Sequence, residues 1–219
     1  MKTHVSISVF AADILKIGSE LKTVKEHKAD SIHIDVMDGH FVPLFGFNNM
    51  WAKAVGDYVC LNRDIHFMVY PTEEMIDRFM DEKVDTITLH LDSAPEDVLL
   101  YGISYIRECG KRTGIAISPH TKVERLLPFL DHAMEILVMS TAPGEENSCF
   151  VEETYERIER IKQLIGERDI SIAVDGGLNA QRARRCIASG ADKIIMGRTY
   201  FAETHKGDLI REIQQAAYA

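Results

Sequence analysis

Ser31-Ile32-His33-Ile34-Asp35-Val36-Met37-Asp38-Gly39 is an apolar, β-branched run with ligand-type side chains at every second position. Side chains alternate faces along a strand, so residues at i and i+2 point the same way. His33 and Asp35 therefore share one face, and Met37 follows them at the strand's end. Two further apolar runs carry the same kind of side chain. Arg63-Asp64-Ile65-His66-Phe67-Met68-Val69 supplies His66, and Ile172-Ala173-Val174-Asp175-Gly176-Gly177 supplies Asp175. Two histidines and two carboxylates on three strands suit a divalent metal, and either carboxylate could also move a proton.

Working outward, eight strand patterns alternate with helical ones. The strands are predicted at residues 5–10, 31–36, 64–69, 86–90, 114–118, 135–139, 171–174 and 193–196. Helical periodicity runs over 14–27, 73–82, 95–109, 151–167 and 180–189, and a last helix closes the chain over 207–218. Such alternation predicts a parallel sheet, and eight units in 219 residues predict a TIM (β/α)8 barrel. An open doubly wound sheet is the rival; the count of eight and the lack of a Gly-rich dinucleotide loop after the first strand weaken it. No linker or second domain is evident, so residues 1–219 read as one catalytic domain. The longest irregular stretches, 38–48 and 140–150, would lie at the C-terminal mouth of a barrel, where active sites are built.

Composition narrows the partners. The net charge of −9 argues against a general nucleic-acid binder, which usually shows a basic face. An anionic ligand would need local help from a metal, an arginine or helix N-termini. Cys60, Cys109, Cys149 and Cys186 are scattered and make no paired metal motif, so free thiols in a reducing compartment are expected. No apolar leader or membrane-length run is present in the sequence, and a cytoplasmic enzyme fits.

Each candidate has a plainer reading. A lone histidine in a core is usually just satisfied there. Four such residues at strand ends are costly to bury without a shared partner, which favours the metal. Met37, Met68 and Met139 fall at strand ends; methionine commonly fills core gaps, but a soft apolar lining would also shield a reactive intermediate. Gly176, Gly177 and Gly197 end the last two strands, the usual phosphate position of this fold, or else are simply tight turns. Arg198 could grip a phosphate through two parallel hydrogen bonds or pair with Glu145 or Glu146 at the surface.

His33-Ile-Asp-Val-Met-Asp-Gly-His-Phe-Val-Pro43 is nearly the signature of the ribulose-phosphate 3-epimerase family, and Asp64-Ile-His-Phe-Met-Val69 resembles its second signature. Ser8, Asp13, Thr88-Leu-His90, Pro143-Gly144, Asp175-Gly-Gly177 and Gly197 echo the family pattern in order, across the whole chain. The resemblance implies a barrel of the ribulose-phosphate-binding type. It implies that His33, Asp35, His66 and Asp175 hold one divalent ion (zinc, iron, manganese or cobalt), with Asp35 and Asp175 as the acid–base pair. It also implies that Ser8, Met37, Met68 and Met139 line the pocket; His66, Gly144, Gly176, Gly177, Gly197 and, from its position and charge alone, Arg198 are further residues expected to border the substrate. The activity implied is an isomerase of carbohydrate metabolism, acting at C3 of a phosphorylated ketose such as ribulose 5-phosphate or xylulose 5-phosphate through an enediolate; many relatives are homo-oligomers. A ketose-phosphate isomerase or lyase, or a non-catalytic sugar-phosphate-binding protein, are the alternatives. The chain departs from the pattern in four places. Glu145-Glu-Asn-Ser148 replaces the family's Phe-Gly-Gly-Gln phosphate loop, and Arg198 replaces a serine. Leu44 stands where Asn is common, and Ile7 where Pro is common. The metal and acid–base positions are kept while the phosphate end is rebuilt, which bears on the identity of the substrate.

Overall fold

The computed structural model describes residues 2–145 and 148–216. They form a closed parallel barrel in sequential strand order. The strands are β1 (His4–Ser8), β2 (Ser31–Met37), β3 (Asn62–Met68), β4 (Val84–His90), β5 (Arg112–Ile117), β6 (Glu135–Met139), β7 (Ser171–Asp175) and β8 (Lys193–Met196). The helices are α1 (Ile17–Glu26), α2 (Asn49–Val59), α3 (Glu73–Phe79), α4 (Glu96–Glu108), α5 (Thr154–Ile165), α6 (Ala180–Ala188), α7 (Arg198–Ala202) and α8 (Lys206–Gln215). The barrel architecture expected from the alternation is therefore present. The expected closing helix ends earlier, at Gln215, and residue 218 lies outside the described residues.

The boundaries move for identifiable reasons. β1 stops at Ser8 rather than at residue 10: its partner β8 runs out at Met196, opposite Ile7, and Val9–Ala11 then turn as a 3-10 helix. Residues 14–16 are likewise a 3-10 turn, and α1 begins only at Ile17. Two connections lacked a named helical pattern. One contains α2, which opens on Asn48, whose side chain accepts a hydrogen bond from the Trp51 amide, a standard N-cap. The other, between β5 and β6, is a 3-10 stretch, Val123–Phe129, containing Pro128. Proline has no N–H to give and clashes with the preceding turn, so a regular α-helix is disfavoured there.

Strand alternation sorts the residues into two cores. Outward-facing Ile7, Ile32, Ile34, Ile65, Phe67, Ile87 and Leu89 are buried against the helices and form the main apolar core. Inside the barrel a thin apolar band is built by Ala116, Leu137, Met139, Ala173 and Ile195. Polar layers lie on either side of it. At the N-terminal end Lys193 Nζ is 2.8 Å from Asp64 Oδ2 and 3.2 Å from Glu135 Oε2, all three side chains buried. At the C-terminal end lies the histidine and aspartate cluster.

Candidate active site

β2 and β3 run in register with Asp35 beside His66 and His33 beside Asp64. That pairing brings the two signature stretches together. His33 Nε2 stands 3.5 Å from Asp35 Oδ1 and 3.7 Å from Asp175 Oδ2, and His66 Nδ1 stands 3.4 Å from Asp35 Oδ1. One ligand atom from each of the four residues lies within 4.8 Å of every other. Tetrahedral ligands about 2.0–2.2 Å from a metal stand about 3.4 Å apart, so a small inward adjustment would suit an ion. Both ring nitrogens of His33 and of His66 are buried with no hydrogen-bond partner. Unpaired buried polar groups are costly, and a shared cation would relieve that cost. The donor set of two imidazoles and two carboxylates fits a divalent metal.

The two carboxylates are pushed in opposite directions. Burial works to raise Asp35, but the imidazoles of His33 and His66 outweigh it and hold its carboxyl well below the usual range. Asp175 is raised, by burial first and by the neighbouring Asp35 charge, with His33 opposing. Burial alone would lower His33; the Asp35 carboxylate dominates and pushes it up to about 9. Ser8 Oγ donates to Asp35 Oδ2 at 2.8 Å, fixing that carboxylate from β1.

Above the cluster opens a cavity of about 490 Å³. Asp35 and Asp175 form part of its floor, with Ser8, Met37, Met68 and Met139 around them. Gly144, Gly176, Gly177, Gly197 and Arg198 border its far end. His33 and His66 lie sealed beneath, 2% and 0% exposed. The substrate residues named from the sequence thus border one cavity, except His66, which with His33 lies beneath its floor. Arg198 is exposed at the rim, as is Glu145; Glu146 lies outside the described residues.

Sequence reasoning missed several wall residues. Phe10 and Ala11, from the 3-10 turn after β1, and Thr141 and Ala142, from the loop after β6, also border the cavity. It also missed Gly46. The loop after β2 folds back on the strand: the Gly46 amide donates to Met37 O at 3.0 Å and the Phe47 amide to Asp35 O at 2.9 Å. A Cβ on Gly46 would stand 2.3 Å from Asp35 O, so only glycine permits this approach. Gly176 is constrained in the same way. Its φ is +108°, and an added Cβ would meet Thr141 Oγ1 at 2.3 Å.

Comparison with known proteins shows the family. Residues 4–201 match the Ribulose-phosphate 3 epimerase family. The chain belongs to it. It is 38% identical over 203 residues to the ribulose-phosphate 3-epimerase of Chlamydia trachomatis serovar D, covering 91% of this chain and 86% of that protein. With the Bacillus subtilis ribulose-phosphate 3-epimerase it shares 32% over 213 residues, covering 96% and 97%. Among solved structures, 3-hexulose-6-phosphate synthase from Salmonella typhimurium superposes with a TM-score of 0.73 over 100% of this chain and 99% of that one, at 15% identity. At that identity the likeness speaks for the barrel alone. For this family member, no helix among the described residues is long and apolar enough to cross a membrane.

Proposed function

We propose that this epimerase-family member inverts C3 of a phosphorylated ketose, interconverting ribulose 5-phosphate and xylulose 5-phosphate or a close analogue, with one divalent ion held by His33, Asp35, His66 and Asp175. The observation carrying the reading is the convergence of four ligand atoms beneath one cavity, two of them carboxylates with opposed proton affinities. Paired titratable groups pushed apart in this way are a mark of acid–base assignments.

The ketose carbonyl at C2 acidifies the proton on C3. One aspartate removes it, giving an enediolate, and the other returns a proton to the opposite face. A single carboxylate does not readily reach both faces, whereas Asp35 on β2 and Asp175 on β7 approach from separate strands. Ser8, through its hydrogen bond to Asp35 Oδ2, holds that carboxylate's orientation. A bound divalent ion would supply Lewis-acid stabilisation of the developing negative charge. Met37, Met68 and Met139 exclude water around the reacting carbons. Gly177, Gly197 and Arg198 would meet the phosphate, with Arg198 substituting for contacts that the family's Phe-Gly-Gly-Gln loop makes.

Two broader expectations go with this reading. Ile14 and Phe45, 65% and 77% exposed, share a surface cleft beside the mouth, which supports self-association into a homo-oligomer. The free thiols among the described residues suit the reducing cytoplasm. The deciding experiment incubates the purified protein with ribulose 5-phosphate in deuterated water. Deuterium at C3 of both epimers, dependent on added metal, is expected. Deuterium at C1, or an aldose product, would replace the reading with a ketose-phosphate isomerase.

A further inference from the structure

Below the cluster, one carboxylate has two very different oxygens. Asp64 Oδ2 is saturated: it accepts from Ser6 Oγ at 2.8 Å and from Ser31 Oγ at 2.7 Å, and lies 2.8 Å from Lys193 Nζ. Asp64 Oδ1 is buried and has no hydrogen-bond partner. An orphaned carboxylate oxygen in an interior is costly, and a native site normally has a reason for one.

The register supplies the reason. Asp64 is the β3 residue paired with His33 on β2. Neighbouring strands lie about 4.8 Å apart, so two short inward side chains on paired residues are within reach of each other. Ser31, one of the donors to Oδ2, is the inward residue preceding His33 on the same strand. The serines and lysine thus occupy Oδ2, while Oδ1 remains without a partner. His33 turns its Nε2 towards Asp35 and Asp175, which leaves Nδ1, also buried and unpartnered. Two buried, unpartnered atoms, His33 Nδ1 and Asp64 Oδ1, thus sit on paired residues whose charges interact.

We propose that Asp64 is the positioning residue of the metal site: in the metal-loaded protein its Oδ1 accepts the Nδ1 proton of His33, fixing the tautomer that presents Nε2 to the ion. Metal-bound histidines commonly donate their second nitrogen to a carboxylate, which orients the ring and raises its basicity. The network of Ser6, Ser31 and Lys193 then has a purpose beyond neutralising a buried charge. It clamps Oδ2 so that Oδ1 cannot rotate away. The inference rests on the metal reading above and adds a link from the N-terminal layer of the barrel to its C-terminal layer.

The test begins with the wild-type protein, loaded with zinc and labelled with ¹⁵N-histidine. NMR should find a slowly exchanging, downfield proton on His33 Nδ1, assigned by its loss in His33→Gln. Zinc affinity is then measured by competition with a chromophoric chelator. Asp64→Asn should bind zinc roughly ten- to a hundredfold more weakly, the usual effect of losing such a partner. Glu135→Gln removes the same charge from the same network but not from His33, and should stay within about twofold of wild type. A bare His33 Nδ1 in the wild-type spectrum would overturn the proposal, even if Asp64→Asn fails to fold. So would equal losses in the two variants, or an unchanged affinity in folded Asp64→Asn. If the wild-type protein binds neither zinc nor divalent iron, manganese or cobalt, the metal reading itself fails. If it binds zinc through His33 but ignores Asp64→Asn, only this inference does.

Discussion

The floor and the rim of the cavity are built in different ways. The floor is made of strand side chains, Asp35, Asp175 and the buried imidazoles, whose positions follow from ladder register and two-residue alternation. The rim is made of loops in which glycines at positive φ, Gly144, Gly176 and Gly177, shape the backbone. A strand residue can be assigned to the floor from its neighbours alone. A rim residue depends on how separate segments meet, as when Ser140 Oγ donates to Gly176 O at 2.5 Å, or Thr199 Oγ1 on α7 to Leu178 O at 2.6 Å. The ligand-type residues of the family signatures sit at the floor, while Arg198 and Glu145, where the sequence departs from the family pattern, sit at the rim beside the retained Gly144, Gly176, Gly177 and Gly197.

The sharpest way to break that division is at the floor. Removing the metal with a chelator should abolish turnover, and re-adding a divalent ion should restore it; full activity in protein with no metal by elemental analysis would end the proposed chemistry. Asp175→Asn should reduce kcat by roughly 10²–10⁴, more if metal is also lost, so metal content must be measured on the same sample. Near-wild-type turnover would remove Asp175 from the acid–base pair. At the rim the effects should be smaller and selective. Arg198→Ser removes a charged hydrogen bond of about 1.5–3 kcal/mol and should raise KM for a phosphorylated ketose roughly ten- to a hundredfold while leaving metal affinity alone. Unchanged KM would assign Arg198 to surface pairing instead. Smallest of all, Gly176→Ala should cost about 1–3 kcal/mol of stability from backbone strain, read as a lower midpoint in urea with an unchanged m-value. An undiminished midpoint would show that the rim backbone yields to a side chain.

Much of this was legible beforehand. Alternation in residues 31–37 put His33 and Asp35 on one face, His66 and Asp175 fell at corresponding strand ends, and eight repeats implied closure. What escaped was set by contacts distant in sequence. The stop of β1 at Ser8 depends on where β8 ends. The need for glycine at position 46 depends on a loop returning to its own strand. The charged layer of Asp64, Glu135 and Lys193 was in plain view as charges within apolar runs, yet only the barrel's closure brings the three together.

The folded-back loop at Gly46 has a consequence for anyone who wishes to engineer this scaffold. Because its amides bond to the carbonyls of Asp35 and Met37, residues 38–48 cannot be lengthened or swapped as a cassette without disturbing β2, the strand that carries His33 and Asp35. The opposite end of the barrel is more forgiving. The turns at Gly110 and Gly166 have nothing within 4 Å of where a Cβ would stand. A reporter or affinity handle belongs there, away from the mouth.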